Sequence, residues 1–433
     1  MKRTLLPFGL LLLCTALFAQ APAPGQGLPM GRPEDAGMSS ERLARIKTAM
    51  QRYVDRSEVA GVVTLIARHG RVVHLDSVGY RDVEAKAPMT PDTIFRIASM
   101  TKPVVSVAAM ALYEEGHFQL SDPISKWIPE FQNMKVAEVQ SAGTNYTTSS
   151  ARTPITIRHL LTQTAGLATG DGVLQYDYQK IAPRTIPNDT VGDFVRRLAT
   201  LPLNFEPGTK WEYGQFGIAT NVIGRLIEII SKQPLDKFLA DRILQPLLMS
   251  DTYFYLPESK LSRFAASYRP DANKKIQLAE KPTAESIFVK GPHTFFAGNG
   301  GLVSTAADYF RFQQMVLNGG ELDGVRILGR KTIELMTSNH TGDLRGRVSP
   351  GSGFGLGYNI IVDVGASGLP GSVGNYGWGG AFCTIFFVDP DEDMIGIMMT
   401  QLRPNDHSNI RREFQVLAYQ AIVDNGKPAR SSN

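Results

Sequence analysis

The sequence predicts a mixed α/β fold of the α+β type, in which one antiparallel sheet is flanked by helices and carries an inserted, mostly helical lobe. Two observations favour this fold. Strand-like hairpins stand near both ends of the chain, each beside a helical segment, and the middle alternates helical patterns with long polar loops. The chain has 433 residues, of which 43% are hydrophobic and 20% charged, so a large globular fold is expected.

The first residues have the pattern of a secretory signal peptide. Two basic residues precede an apolar run from Leu5 to Phe18, and small residues follow. The run is shorter than the roughly 20 apolar residues of a membrane-spanning helix, so we expect no stable membrane span in the mature protein. We therefore predict a signal peptide over 1–21 and a periplasmic or secreted location.

The two cysteines of the chain are Cys14 and Cys383. Lipid anchoring at Cys14 is not expected, because the preceding Leu13 is bulky where a lipid-attachment signal has a small residue. Loss of residues 1–21 leaves one cysteine, so the exported protein must fold without an internal disulfide. Cys383 lies in the strand-like run AFCTIFFV and is predicted to be a buried core residue.

Helical and strand patterns mark both ends of the chain. Residues 39–55 have helical spacing behind a serine cap. The runs GVVTLIAR and RVVHLDSVGY, joined at His69-Gly70, predict a β-hairpin. Near the other end, CTIFFV and MIGIMMTQ flank the turn DPDED and predict a second hairpin. A final helix is predicted over 408–424.

The middle of the chain predicts the helical lobe. FGIATNVIGRLIEII is a clear amphipathic helix, whereas QSAGTNYTTSSARTP is predicted to be a polar loop. We predict a single domain over 28–426. Its sheet lobe takes about 28–110 and 290–426, and its helical lobe takes about 111–289.

Several classes of function find no support. The formal net charge is +4, and no basic stripe is interleaved with aromatics, so no nucleic-acid partner is expected. The seven histidines have no metal-binding spacing, and no metal or organic cofactor is implied. The segment GNGGLVSTAAD lacks the ending of a phosphate loop. It is interpreted as structural, with Thr305 and Asp308 as a capping box for the next helix.

Ser99 and Lys102 stand three residues apart in RIASMTKPVVSVAAMALYEEG. This segment predicts a buried helix over 99–115, with Pro103 in its first turn and Gly116 as its stop. Residues i and i+3 share a helix face, so the serine and the lysine can touch.

A serine hydroxyl is a weak nucleophile until a base takes its proton, and a lysine with a lowered pKa can be that base. The alternative is an N-cap serine with an unrelated lysine. No G-x-S-x-G elbow is present. A Ser-His-Asp triad stays open, because its members need not be adjacent in sequence, but His159 is interpreted as structural.

Tyr213 lies in the Gly-rich turn of FEPGTKWEYGQFG, just before the amphipathic helix. By composition it is a core aromatic. A tyrosine near a cation can also act as a base and then as an acid toward a leaving group. The residues alone leave both interpretations open.

Three motifs in order carry a resemblance: S-x-x-K, then Y-x-Q, then a late W-G-G. With the phrases FRIASMTKPV, ITIRHLLTQTAGL, FEPGTKWEYGQ and YGWGGAFCTIFFVDPDED, the sequence resembles the serine β-lactamase superfamily over about 30–425. The branch is that of class C β-lactamases, D-Ala-D-Ala carboxypeptidases and, closest, family VIII carboxylesterases. The resemblance implies a β-lactamase/DD-peptidase-like fold and one catalytic domain.

The resemblance also implies roles for individual residues. Ser99 is the acylated nucleophile, and Lys102 and Tyr213 together act as general base and acid. Which of the two is the principal base stays open, because they would titrate as a coupled pair. The backbone N–H groups of Ser99 and Ala381 form the oxyanion hole. Gln215 stands where the family usually has asparagine. The implied substrate-binding residues are Gln215, Trp378, Gly379 and Gly380.

Trp378 bears on the substrate. Class C β-lactamases have lysine at this position, which can pair with a carboxylate, whereas tryptophan offers an apolar face and one donor. The resemblance therefore implies a serine hydrolase that cleaves small carboxylic esters. The alternatives are a β-lactamase or D-Ala-D-Ala carboxypeptidase that acts on amides, and a penicillin-binding sensor that acylates without turnover. The oligomeric state stays open.

Overall fold

A computed structural model gives the fold of most of the chain. The residues that it describes are 27–139, 145–169, 172–182, 188–214, 217–344 and 349–425. The predicted signal peptide and Gln215 lie outside the described residues. Within those ranges, no helix is both long and apolar enough to cross a membrane.

Helices occupy much of the middle of the chain. In the described ranges the α-helices are α1 Ser40–Asp55, α2 Thr101–Glu114, α3 Ile157–Leu161, α4 Gln175–Ile181, α5 Val191–Leu198, α6 Ala219–Ser231, α7 Leu235–Leu239, α8 Ile287–Lys290, α9 Ala306–Leu317, α10 Arg330–Met336, α11 Val364–Ser367 and α12 Ile410–Tyr419.

Strands stand mainly at the two ends of the chain. In the same ranges they are β1 Gly61–Arg68, β2 Arg71–Asp82, β3 Ala87–Pro88, β4 Phe95–Arg96, β5 Lys135–Val139, β6 Tyr146–Ser150, β7 Ser267–Pro270, β8 Ile276–Glu280, β9 Val303–Ser304, β10 Glu321–Leu322, β11 Val325–Arg326, β12 Ser352–Phe354, β13 Asn359–Ile361, β14 Tyr376–Gly379, β15 Ile385–Asp389 and β16 Met394–Met399.

Eight of the described strands form one antiparallel sheet in the order β12-β13-β14-β15-β16-β1-β2-β3. The chain ends meet where β1 pairs with β16, so that Val63 lies opposite Met399 and Arg68 opposite Met394. The helices of the middle segment pack together beside this sheet. The predicted class, an antiparallel sheet built from both chain ends and flanked by helices, is confirmed.

The first predicted helix and hairpin form for the reasons that the sequence indicates. Ser39 caps α1 and accepts a hydrogen bond from Arg42 N at 3.2 Å. The hairpin β1–β2 turns at His69 and Gly70, whose φ angles of 53° and 71° suit a tight hairpin turn. The apolar face of α1 packs with α12 on one face of the sheet, in a cluster that includes Ile46 and Phe414.

Helix α2 lies at the centre of the molecule. Every residue from Thr101 to Leu112 is buried, because the helix packs against α6 and α7. A helix that is apolar on all sides belongs in the core, so the position of Lys102 in its first turn buries an amine there. Gly116 follows the helix with φ 81°, as a helix stop requires.

Three local predictions are corrected. Ser99 lies not in α2 but in the preceding 3-10 turn Ala98–Met100. The predicted polar loop contains β6, which pairs with β5; its exposed side chains gave no apolar alternation to detect. Helix α12 is shorter than the predicted 408–424. It begins after Asn409, which makes no side-chain cap.

Two further details differ from expectation. Cys383 is buried as predicted, but it occupies a turn before β15 with φ 68°. Thr305 caps α9, accepting from Asp308 N at 3.1 Å, yet the Asp308 carboxylate does not complete a capping box. It accepts from Asp251 N and Thr252 Oγ1 instead.

Candidate active site

Ser99 is held in a strained turn between β4 and α2. The preceding Ala98 has φ 44°, a left-handed conformation that costs free energy in a residue other than glycine. Pairing of β4 with β9 fixes the chain just before this turn, and Tyr309 Oη fixes it just after, by donating to Met100 O at 2.9 Å. The Ser99 side chain is thereby presented at one defined place beside the first turn of α2.

Lys102 reaches Ser99 as the i, i+3 spacing predicts. Its Nζ lies 3.1 Å from Ser99 Oγ and 2.6 Å from the carbonyl oxygen of Asn299. The residue is 1% exposed, and no described carboxylate forms an ion pair with it. Burial penalises the charged form and holds the pKa of the Lys102 amine well below its usual range. A neutral amine of this kind can accept a proton.

Tyr213 approaches the same oxygen atom from the other side. Its hydroxyl donates to Ser99 Oγ at 2.7 Å, and its ring centroid lies 4.7 Å from Lys102 Nζ. Burial raises the pKa of Tyr213 to about 12, although the hydrogen bond to Ser99 opposes this shift. The tyrosine is therefore protonated at neutral pH and can give a proton.

An aromatic wall stands beside Tyr213. Trp378 packs edge-on against its ring at 5.1 Å between centroids, and Trp211 stacks on it at 6.3 Å. Phe354 contacts both tryptophans, at 5.6 Å from Trp211 and 5.2 Å from Trp378. This wall surrounds the ring of Tyr213 with apolar aromatic side chains.

The W-G-G motif lies at the end of β14, as expected. Pairing of β13 with β14 stops at Gly377, so β13 does not cover the strand edge at Trp378 and Gly379. Gly380 packs on the backbone before Ser99: a Cβ there would lie 2.3 Å from Ile97 O. This close approach brings Ala381 to the Ser99 turn. The oxyanion hole itself stays a prediction.

Three residues that the sequence did not single out complete the surroundings of Lys102. Asn299 O accepts from the amine, and Asn221 Oδ1 accepts from Asn299 N at 3.0 Å. Gly217 packs against the side chains of both Tyr213 and Lys102 and has a φ angle of 52°. A Cβ at this position would lie 2.4 Å from Tyr213 Cε2 and 2.6 Å from Lys102 Cε. The glycine-rich composition around Tyr213 and in GNGG was the one available signal.

A cavity of about 330 Å³ adjoins β14. Trp378 and Gly379 contribute to its lining, together with Arg411 and Arg412 of α12 and no described Asp or Glu. The Arg411 guanidinium donates to Gly380 O, the carbonyl group before Ala381. The cavity thus places two cations close to the W-G-G motif. Elsewhere in the described ranges, no group of three His, Cys, Asp or Glu residues is arranged to hold a metal ion.

Residues 46–421 match the family model Beta-lactamase. Together with the fold, this match defines a serine hydrolase of the β-lactamase superfamily. The chain belongs to this family, and the resemblance inferred from the three motifs is confirmed.

Relatives with known names extend the comparison. The chain is 35% identical over 372 residues to Protein Rv1367c of Mycobacterium tuberculosis, covering 83% of this chain and 90% of that protein. It is 30% identical over 364 residues to Esterase EstB of Burkholderia gladioli, covering 80% and 87%. The solved structure of EstCE1, a hydrolase with promiscuous acyltransferase activity, matches with a TM-score of 0.76 at 28% identity, covering 88% and 99%. These likenesses support an esterase-like member of the family.

Proposed function

We propose that the protein is a carboxylesterase that acts through an acyl-enzyme on Ser99. The observation that carries the proposal is the convergence of two groups on one oxygen atom. Lys102 Nζ lies 3.1 Å and Tyr213 Oη 2.7 Å from Ser99 Oγ. A nucleophile with a base and an acid within hydrogen-bond reach is the arrangement that acyl transfer needs.

The opposite pKa shifts support a division of the two roles that the sequence left open. The lowered pKa of Lys102 favours it as the proton acceptor, and the raised pKa of Tyr213 favours it as the proton donor. Lys102 takes the Ser99 proton as Oγ bonds to the ester carbonyl carbon. Tyr213 protonates the leaving alcohol as the C–O bond breaks. Lys102 then passes the proton that it took from Ser99 to the Tyr213 oxygen. Water then attacks the acyl-enzyme, which releases the carboxylic acid and restores Ser99.

The surroundings of Ser99 favour a neutral ester. Trp378, Trp211 and Phe354 present aromatic faces beside the proposed acid, and none of them can neutralise a substrate carboxylate. Backbone N–H groups of Ser99 and Ala381 are the proposed oxyanion donors, with substrate lying along Trp378 and Gly379. The printed names of EstB and EstCE1 accord with ester hydrolysis.

One observation favours the second candidate, a β-lactamase or D-Ala-D-Ala carboxypeptidase. Arg411 and Arg412 line the cavity beside Trp378, and a guanidinium can bind a carboxylate in two places at once. A third candidate, a sensor that acylates without turnover, would share the first half of the reaction.

We also propose export of the mature protein, which N-terminal sequencing of the processed chain would test.

The test compares two substrates on the mature protein and on two variants. The expected result is turnover of p-nitrophenyl butyrate, its loss in Ser99→Ala, and little cleavage of a chromogenic cephalosporin. Ser106→Ala is the matched control, because Ser106 is a buried serine of α2, outside the turn that carries Ser99. Preferential cephalosporin cleavage would favour the second candidate. Ester turnover that survives in Ser99→Ala would contradict the mechanism.

A further inference from the structure

The Lys102 amine makes a contact that the catalytic steps do not themselves use. Its Nζ donates to Asn299 O at 2.6 Å, a shorter distance than the 3.1 Å to Ser99 Oγ. A neutral amine has two N–H bonds and one lone pair. An N–H fixed on Asn299 O therefore limits the direction of the lone pair, which must point to Ser99 for proton transfer.

The backbone around Asn299 is fixed on both sides. Its own N–H donates to Asn221 Oδ1 at 3.0 Å. The following N–H, of Gly300, donates to Ala297 O at 3.1 Å. The turn also packs directly on α6, because a Cβ at Gly298 would lie 2.7 Å from Thr220 O. Asn221 is the side chain that ties this turn to the helix.

Asn221 is unusual for a residue in the middle of a core helix. It is 1% exposed, and within the described residues its Nδ2 has no hydrogen-bond partner. An unsatisfied buried donor destabilises a fold, and a leucine of similar volume would avoid this cost. The Oδ1 atom is assigned without ambiguity, since it faces an N–H donor.

We propose that Asn221 is a positioning residue for the general base. It holds the Asn299 carbonyl group where that group orients the Lys102 amine toward Ser99. In the described part of the chain, the hydrogen bond of the Asn221 side chain goes to Asn299 N, and none joins it to Ser99 or Trp378. The inference rests on the proposed role of Lys102 as the base.

The test measures how fast a fluorophosphonate labels Ser99, with kcat and KM for p-nitrophenyl butyrate alongside. Asn221→Ala is expected to slow labelling about tenfold or more, as misplaced catalytic groups do, while KM stays within about twofold. Val222→Ala is the matched control. Val222 is the next residue of α6 and is also buried, and its truncation leaves a cavity but removes no group that can hydrogen-bond to Asn299. The Val222→Ala variant is expected to be labelled at the wild-type rate, although its Tm falls by about as much as that of Asn221→Ala.

A second variant guards against a misfolded product. Asn221→Leu keeps the side-chain volume, so slow labelling with an unchanged Tm supports the proposal. Wild-type labelling in both Asn221 variants, or equal slowing in Val222→Ala, would overturn it. Lys102→Met separates the two hypotheses. If Lys102→Met is labelled at the wild-type rate, the proposed base is wrong. If Lys102→Met is not labelled while Asn221→Ala is labelled at the wild-type rate, only the positioning role is wrong.

Discussion

The Tyr213 hydroxyl donates to Ser99 Oγ at 2.7 Å, across 114 positions of sequence. The contact joins the strained turn before α2 to the turn before α6. Two helices of the core therefore fix the distance between the proposed nucleophile and the proposed acid. The raised pKa of Tyr213, about 12, keeps its proton available at neutral pH.

Tyr213→Phe is expected to lower kcat by about 10² to 10⁴, the usual contribution of a positioned acid, with a small change in KM. The ring and its packing against Trp378 are kept, so the Tm should change little. Steady-state kinetics with p-nitrophenyl butyrate and a thermal melt check both statements. Tyr178→Phe, at a buried tyrosine of α4, is the control. A Tyr213→Phe variant with wild-type kcat would remove the assigned role.

The pH profile of kcat/KM should report the lowered pKa of Lys102. A protonated amine cannot accept the serine proton, so the rate falls as the pH falls through that pKa. The expected acid limb therefore lies well below the ordinary lysine value of about 10.4. A rate that keeps rising tenfold per unit up to about pH 10 would contradict a desolvated base.

Gly217→Ala should disable the site, because a Cβ at this position meets both Tyr213 and Lys102. We expect at least a tenfold loss of kcat, since about 1 Å of displacement can cost 10²-fold. Gly342→Ala is a matched control: its φ is 48°, yet no atom of the described residues lies within 4 Å of the added Cβ. Steady-state kinetics and thermal melts of both variants separate two effects: the strain of a positive φ, which the two share, and the steric clash, which only Gly217→Ala creates. Equal kcat in the two variants would show that the space around Lys102 is not critical.

Trp378→Lys should move the substrate preference toward anions. One charge-assisted hydrogen bond contributes about 1.5–3 kcal/mol, so the ratio of kcat/KM for a cephalosporin to that for a butyrate ester should rise about tenfold or more. Trp378→Gln removes the ring without adding charge and serves as the control. If both variants change the ratio equally, loss of the aromatic face rather than gain of charge determines the preference.

Acid should destabilise the fold through His74. The Nε2 atom of His74 shares a hydrogen bond of 2.8 Å with Thr64 Oγ1. Desolvation lowers the pKa of His74 to about 4, below the value of about 6.5 expected in the unfolded chain. The unfolded state therefore binds the proton more readily, and stability is lost as the pH falls from about 6.5 toward 4. We expect a contribution of about 2 kcal/mol between pH 7.5 and 4.5. Denaturant melts of His74→Gln should show a smaller loss over this range; an identical loss would contradict the assignment.

The sequence predicted the parts of this molecule that depend on local pattern. The hairpin at His69-Gly70 and the cap at Ser39 follow from residue type and spacing. Strands at both chain ends predicted one shared sheet, and the structure shows that β1 and β16 are the strands that pair there. The strand β6 was missed because its exposed polar side chains carry no apolar period.

Within the site, spacing predicted the contact of Ser99 with Lys102, while the resemblance supplied Tyr213 and the W-G-G motif. Asn221 and Asn299 were beyond reach. Asn299 contacts Lys102 through its backbone carbonyl group, and Asn221 contacts only the backbone N–H of Asn299, so neither residue type indicates the role. The strain at Ala98 was hidden for the same reason. Backbone geometry, unlike side-chain pattern, is set by packing between distant segments.

The most direct test of the account is to trap the acyl-enzyme. The mature protein is mixed with p-nitrophenyl butyrate, quenched with acid during turnover, digested and examined by mass spectrometry. The account predicts one butyryl group on the peptide that carries Ser99, and none in Ser99→Ala. A butyryl group on another residue, or turnover without any covalent intermediate in a rapid-quench series, would contradict Ser99 as the nucleophile and with it the proposed mechanism.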